Sequence, residues 1–327
     1  MNILTIGAAG MIGRKLTRRL IADGKLAGKP IDSLDLVDVV APTVPADAPF
    51  KVAAQAGDLS APGFAEKIVA SRPDVIFHLA AIVSAEAEAD FEKGYRVNLD
   101  GTRMLLEAIR KIGAGYRPRL VFTSSIAVFG APFPDAIGDT FFETPLTSYG
   151  TQKAIDELLL ADYTRRGFLD GIGIRLPTIC VRPGKPNKAA SSFFSGIIRE
   201  PLAGHEAILP VSENVRHWHA SPRSAVNFLI HAAEIDGVKL GNRRSLSMPG
   251  VSATVAEQIA ALRTIAGEKV AARIKKVPDP VIIGIVDGWA QNFAPERALS
   301  LGFRAEKNFS EIVRIHIEDE LGGTWVK

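Results

Sequence analysis

The stretch NILTIGAAGMIGRKL, residues 2–16, limits what this chain can fold into more than any other part of it. A β-branched run ends at Gly7, and a pattern with helical spacing begins by Gly10 and continues to Asp23. Glycine recurs at every third position between them, at Gly7, Gly10 and Gly13. Gly7 permits a tight turn, Gly10 lets the backbone approach a pyrophosphate, and Gly13 lets helix and strand pack closely. The phosphates would then lie over Met11, Ile12 and Gly13. The first turn of a helix offers unpaired N–H groups and the positive end of the helix dipole to an anion.

A three-glycine turn means little without its surroundings. Here an acid, Asp38, follows at the end of the second β-branched run, SLDLVD. A carboxylate there accepts from both ribose hydroxyls of adenosine and repels a 2′-phosphate, which favours NAD over NADP. Asp35 is the alternative acid, but it falls earlier in the strand. Arg14 argues the other way, as a cation near the turn; its plainer reading is a solvated or helix-packing side chain.

Beyond the turn, DVIFHLAA and RLVFTSS also read as strands, and EKGYRVNLDGTRMLLEAIRKIG carries helical spacing. Strand–helix alternation at this spacing implies an α/β fold with a doubly wound parallel sheet. Its crossovers are right-handed, and ligands collect beyond the carboxyl ends of the strands. After about residue 180 the rhythm breaks, with Pro183, Gly184, Pro186, Pro201, Pro210, Pro222 and Pro249 punctuating shorter elements. The expected organisation is a Rossmann domain over 1–180 and a smaller, irregular substrate lobe over 181–327. Residues 215–240 are expected to return to the first domain through a helix in SPRSAVNFLIHAAEI.

Bulk properties narrow the partners. The 327 residues suffice for one large domain, or a large one with a small one. Basic residues number 39 against 36 acidic ones, with no basic block, which argues against nucleic acid. Cys180 is the only cysteine, so neither an internal disulfide nor a thiolate metal cluster can form. A reducing, cytoplasmic setting fits, and the expected strand right after Met1 leaves no leader pattern. The apolar stretch VIIGIVDGW, residues 281–289, is too short to cross a bilayer. It is expected to be buried or to face another subunit.

One further stretch, TSYGTQKAIDELLL at 147–160, places Tyr149 four residues before Lys153 on one helix face. Alone, such a pair is an ordinary solvated helix end. Together with the glycine turn, GDL (57–59), HLAA (78–81), NLDGT (98–102), TSS (123–125) and YGTQK (149–153), it stands in a known order and spacing. The chain resembles the extended short-chain dehydrogenase/reductase family over most of its length. The resemblance implies that Asp58 and Leu59 border the adenine of NAD. It also implies that Leu79, Ala80, Ala81 and Val83 pass along the dinucleotide, with Asn98 near it and Pro177 near the nicotinamide. Ser125, Tyr149 and Lys153 become the catalytic set, and Ser84, Ser125, Tyr149, Thr178 and Arg182 the substrate contacts. Plainer readings make Asp58 the cap of a helix starting near Pro62 and His78 a buried strand histidine.

The chemistry explains the residue types. Oxidising an alcohol needs a base for the hydroxyl proton while hydride leaves for the nicotinamide. A phenol of pKa ~10 is a poor base at neutral pH, and lowering it by about three units takes about 4 kcal/mol. An ammonium at ~4 Å, with an effective dielectric of ~20, supplies about that much. Lys153 also suits the nicotinamide ribose, and Ser125 the reacting oxygen.

The second half must choose the alcohol. Arg182 presents a planar fork suited to a carboxylate, with a structural ion pair as its alternative. ENVRHWHASPRS keeps Arg216 where the family's epimerases read arginine–aspartate–aromatic, but has His217 for the acid and Arg223 for a later one. His217 and His219 share a strand face with no third ligand in sight, so no metal is expected. LPTICVRPGKPN, SSFFSGIIREPLAG and HWHASPRSAVNFLIHA resemble the family's sugar-acid branch. That resemblance implies NAD-linked oxidation of the C2 hydroxyl of D-erythronate to a 2-oxo acid. Alternatives are a nucleotide-sugar epimerase, a uronate or aldose dehydrogenase, and a non-catalytic dinucleotide-sensing protein. AIDELLLADYTRRG carries enough apolar surface for a homodimer, although the same stripe could face the sheet.

Overall fold

A computed structural model describes residues 1–184 and 190–327, so Pro186 lies outside the described residues. Strands β1 (Asn2–Ile6), β2 (Ser33–Asp38), β3 (Lys51–Ala56), β4 (Val75–His78), β5 (Arg119–Ser125), β6 (Asp170–Leu176) and β7 (Ser245–Ser247) form one sheet. Their order is β7-β6-β5-β4-β1-β2-β3. β3, β2, β1, β4 and β5 run parallel, and Ile3 lies between Leu34 on one side and Val75 on the other. Strand order reverses at β1, which opens a crevice beyond its carboxyl end. The expected doubly wound α/β sheet is the one observed.

Burial explains why these runs are strands. Ile3, Leu4 and Ile6 are almost wholly buried, a continuous apolar run as required of a strand covered on both faces. The first helix, Met11–Asp23, buries Leu16, Leu20 and Ile21 and ends at Gly24 in the left-handed conformation. β3, KVAAQA, was not legible as a strand. It is a largely exposed edge strand whose alanines and glutamine carry little β signature.

The chain divides into two compact units. One comprises Met1–Val128, Pro145–Arg175 and Val226–Leu246; the other Phe129–Thr144, Leu176–Ala225 and Ser247–Lys327. The division departs from the expected boundaries: residues 129–144 and 176–180 lie in the second unit, and the return to the first spans 226–246 rather than 215–240. Residues 129–144 join the second unit because Ile137–Gly138 pairs with Phe293–Ala294, and the Arg297 N–H donates to Asp139 at 2.8 Å. Phe129 adds ring contacts with Phe141 and Phe293. The return to the first unit begins at Val226 rather than 215, since strand Arg216–Ala220 pairs with Thr178–Ile179 and Val251–Thr254 in the second unit.

The second unit has its own core, in which Phe194, Ile197, Ile198, Leu262, Ile312 and Val313 are fully buried. Of the two expectations for 281–289, burial does not hold within this chain. In helix Pro280–Asp287 only Val286 is buried, while Val281, Ile283 and Ile285 are 69%, 40% and 44% exposed. Among the described residues no helix is long and apolar enough to cross a membrane.

Candidate active site

The glycine turn is built by close approach. Gly7 has φ +89°, and a Cβ there would lie 2.6 Å from the Ala80 nitrogen and 2.8 Å from the Leu79 carbonyl carbon. A Cβ on Gly13 would come under 3.0 Å from Gly7 and Ala8 backbone atoms. Gly10 differs: its Cβ would meet only the Gly7 oxygen, at 3.3 Å, and the space beyond is open. A side chain would fill that space, and a pyrophosphate fits it. Gly10 caps the first helix with no side-chain bond and no acid in the first turn, so the leading N–H groups of Met11, Ile12 and Gly13 suit an anion.

Asp38 is fastened beside this turn, its Oδ2 accepting the Ala9 N–H at 2.9 Å. Asp35 sits mid-strand opposite Leu4, and burial, opposed by Lys51, raises its pKa; it is not the acid at the crevice. Arg14 donates to the Ala9 carbonyl at 2.7 Å and so braces the loop.

Leu79, Ala80 and Ala81 leave the end of β4 half-buried, Val83 is 45% exposed, and Ser84 starts the helix Ser84–Ala89. Asn98 holds this loop. Its Oδ1 accepts the Ile82 N–H at 2.9 Å, and its Nδ2 donates to the Ile82 carbonyl at 3.3 Å and to Gln152 Oε1 at 2.7 Å. Both amide protons are used, so Asn98 positions the loop. It lies in a π-helical turn, Tyr95–Asp100. Asp58 does not cap a helix: it accepts from Ser60 and pairs with Arg96 at 2.8 Å. Leu59 belongs to the core of the first unit. His78 is buried, donor or acceptor to Thr102 at 3.0 Å, and burial, assisted by the Lys153 charge, lowers its pKa to about 3.

A glycine seats the helix that carries Tyr149 and Lys153 on the turn that follows Ser125. Ser125 ends β5, and its Oγ accepts the Ala127 N–H at 3.1 Å. Thr147 caps the helix Ser148–Arg165 by accepting the Gly150 N–H at 3.1 Å. A Cβ on Gly150 would stand under 3.0 Å from the Ala127 carbonyl oxygen, so the helix start rests directly on the turn that follows Ser125. Tyr149 is half-buried there. Lys153, 2% exposed, places Nζ 4.5 Å from the Phe122 ring centroid and 5.9 Å from that of Tyr149. Burial pulls its pKa down to about 8, against the attraction of Asp156 and Glu157. Glu157 is in turn held by Arg175, with contacts of 2.6 to 3.0 Å, and by Ser124. Among the described residues the Lys153 ammonium has no hydrogen-bond acceptor. A buried cation with its donors unspent is suited to ribose hydroxyls.

The second unit holds the remaining candidates. Pro177 is buried and Thr178 half-buried. Arg182 donates from Nε to the Ile179 carbonyl at 3.1 Å and from Nη2 to Ser191 at 3.4 Å. His217 and His219 are buried with ring centroids 5.3 Å apart. Among the described residues no group of three potential ligands could hold a metal ion.

The NAD dependent epimerase/dehydratase family matches residues 3–235. The chain belongs to that family. The motifs of its sequence pointed to the same extended short-chain dehydrogenase/reductase relationship, and NAD is the cofactor. Two near full-length relatives are D-erythronate dehydrogenases. That of Cupriavidus necator is 49% identical over 323 residues, 98% of each chain. That of Haemophilus influenzae is 42% identical over 321 residues, 98% of this chain and 100% of the relative. A crystal structure described as the nucleoside-diphosphate-sugar epimerase from Agrobacterium tumefaciens is 66% identical, with TM-score 0.98, covering 99% of this chain and 95% of that one.

Within this family fold, Gly150, Gln152 and Asp156 support the candidate residues, through the Ala127 turn, Asn98 and Lys153, and sequence reasoning passed over them. Their signals, a glycine between the tyrosine and lysine and polar residues on an inward helix face, are visible only once the neighbours are known. Asp38 gives a direct check on the cofactor. Asp38→Ala removes a charged hydrogen-bond acceptor, worth about 1.5–3 kcal/mol, so NAD affinity is expected to fall roughly tenfold to a hundredfold. NADP affinity should not fall with it, as titration of each dinucleotide will show.

Proposed function

We propose that this chain is an NAD-dependent dehydrogenase that oxidises the C2 hydroxyl of D-erythronate to the 2-oxo acid through Ser125, Tyr149 and Lys153. One observation carries the chemistry: a buried lysine ammonium with no hydrogen-bond acceptor among the described residues, one helical turn from a half-buried tyrosine. The names of the two near full-length relatives support the substrate.

Bound NAD supplies the acceptor for the hydride lost from C2. Tyr149 takes the proton from the C2 hydroxyl, so one proton and one hydride leave and a carbonyl forms. Ser125 donates to the reacting oxygen and orients it. Lys153 stabilises the Tyr149 phenolate; an ammonium within ~4–6 Å, with an effective dielectric of ~20, contributes about 3–4 kcal/mol. Arg182 pairs with the carboxylate, and Ser84, Thr178 and Pro177 complete the substrate and nicotinamide contacts. A homodimer through the helix Ser148–Arg165 is consistent with Leu158, 68% exposed on it. The buried lone thiol of Cys180 suits a cytoplasmic setting.

The name of the 66% identical structure favours a second reading, nucleotide-sugar epimerisation. Two cations that a diphosphate would want are engaged within the second unit. Arg216 pairs with Glu257 at 3.4 Å, and Arg223 pairs with Glu318 and Asp319. Purified protein assayed with four- to six-carbon sugar acids, each with NAD and NADP, separates the two. Net NADH formation with D-erythronate is the expected result. Interconversion of UDP-sugars without net NADH, and no turnover of any sugar acid, would overturn the dehydrogenase reading.

A further inference from the structure

Thr178 lies on the short strand Thr178–Ile179, beside His219 and Ala220. Its hydroxyl is 2.7 Å from Nε2 of His217. His217 is 4% exposed, stacked on Phe194 with ring planes 6° apart and packed against Trp289. Its other nitrogen, Nδ1, is 2.9 Å from the Ala290 carbonyl oxygen. A carbonyl only accepts, so Nδ1 carries a proton. Burial among these rings keeps the imidazole neutral, lowering its pKa to about 4 against the opposing Ala290 bond. A neutral imidazole has a single N–H, and Ala290 takes it. Nε2 is therefore a lone pair, and the one hydroxyl proton of Thr178 points to it. What Thr178 has left for a ligand is lone pairs only.

We propose that Ala290 and His217 make Thr178 an obligate hydrogen-bond acceptor, so that it selects a substrate hydroxyl and rejects a carboxylate or carbonyl oxygen. The inference rests on the sugar-acid reading and sharpens it. The proton of the C2 hydroxyl is the one lost in the reaction, and the carboxylate offers no donor. The hydroxyl that Thr178 reads is therefore at C3 or C4, and the substrate must be a polyhydroxy acid rather than a simple 2-hydroxy acid. His217 is a positioning residue in this account. Sequence alone showed a histidine where the epimerases carry an acid; the structure gives the exchange a purpose.

Two measurements test it. The first is nitrogen NMR of protein labelled in histidine, with the His217 ring assigned by the shift that Thr178→Val causes in its Nε2 signal. A neutral ring protonated at Nδ1 is expected; protonation at Nε2, or an imidazolium at neutral pH, overturns the proposal whatever the substrate is. The second compares kcat/KM for D-erythronate with that for its 3-deoxy and 4-deoxy analogues. One analogue should be poorer by on the order of tenfold to a hundredfold in the native enzyme. Thr178→Val should erase that ratio by lowering the D-erythronate value alone, and Thr178→Ser should keep it. An unchanged ratio in Thr178→Val overturns the proposal. No turnover of any of the acids would count against the dehydrogenase reading instead, and the ring tautomer would then decide the polarity of Thr178.

Discussion

Tyr149→Phe is expected to lower kcat for D-erythronate by roughly 10²–10⁴-fold, the usual worth of a positioned acid–base group. NAD affinity should stay within about tenfold of the native value, since hydrogen bonds lost one at a time cost about 1 kcal/mol. The substitution removes one oxygen and leaves the ring in its half-buried place above Lys153. The ammonium keeps its donors for the ribose, so binding and chemistry come apart. Steady-state NADH formation beside a binding titration of NAD checks both halves. A variant that still turns over at the native rate would remove the phenol from the mechanism. Equal losses of turnover and NAD affinity would make Tyr149 a structural residue. A protein that only senses the dinucleotide would be indifferent to the change.

What could be read beforehand was local, and what could not was contact between distant parts of the chain. The turn at Gly7, Gly10 and Gly13 was legible because its strand, turn and helix are contiguous, and Asp38 because it ends the next strand. Tyr149 and Lys153 were legible because 3.6-residue periodicity puts them on one face. The membership of 129–144 was not, since it depends on a two-residue strand finding Phe293–Ala294 some 150 residues later. Asn98 was read as a residue near the cofactor; that it holds Ile82 and Gln152 was not legible, because those partners come together only in the fold. His217 looked like a departure from a pattern, because its meaning depends on a carbonyl at Ala290. For Pro280–Asp287 the choice between burial and a subunit-facing surface was open for a simpler reason: an apolar run states hydrophobicity, not what covers it.

Gly150→Ala sets two magnitudes against each other. Alanine is the better helix residue by about 1 kcal/mol, so propensity alone calls for a more stable helix. The added methyl would meet the Ala127 carbonyl oxygen at under 3.0 Å and the Pro145 Cβ at 3.0 Å. The first neighbour is backbone and cannot rotate away. Overpacking of this kind costs about 1–3 kcal/mol, so the clash outweighs the propensity. The helix must then lift from the turn that carries Ser125, taking Tyr149 with it. A displacement of about 1 Å between reacting groups costs on the order of 10²-fold in rate. The expected result is a Tm lower by a few degrees and about a hundredfold loss of kcat/KM, with NAD still bound. Gly196→Ala is the matched control, because that helical glycine has nothing within 4 Å of its added methyl. It gains the same propensity without the clash, so its Tm should hold or rise and its activity should not change. If both variants behave alike, the seat of the helix on Ala127 is not what brings Ser125 to Tyr149.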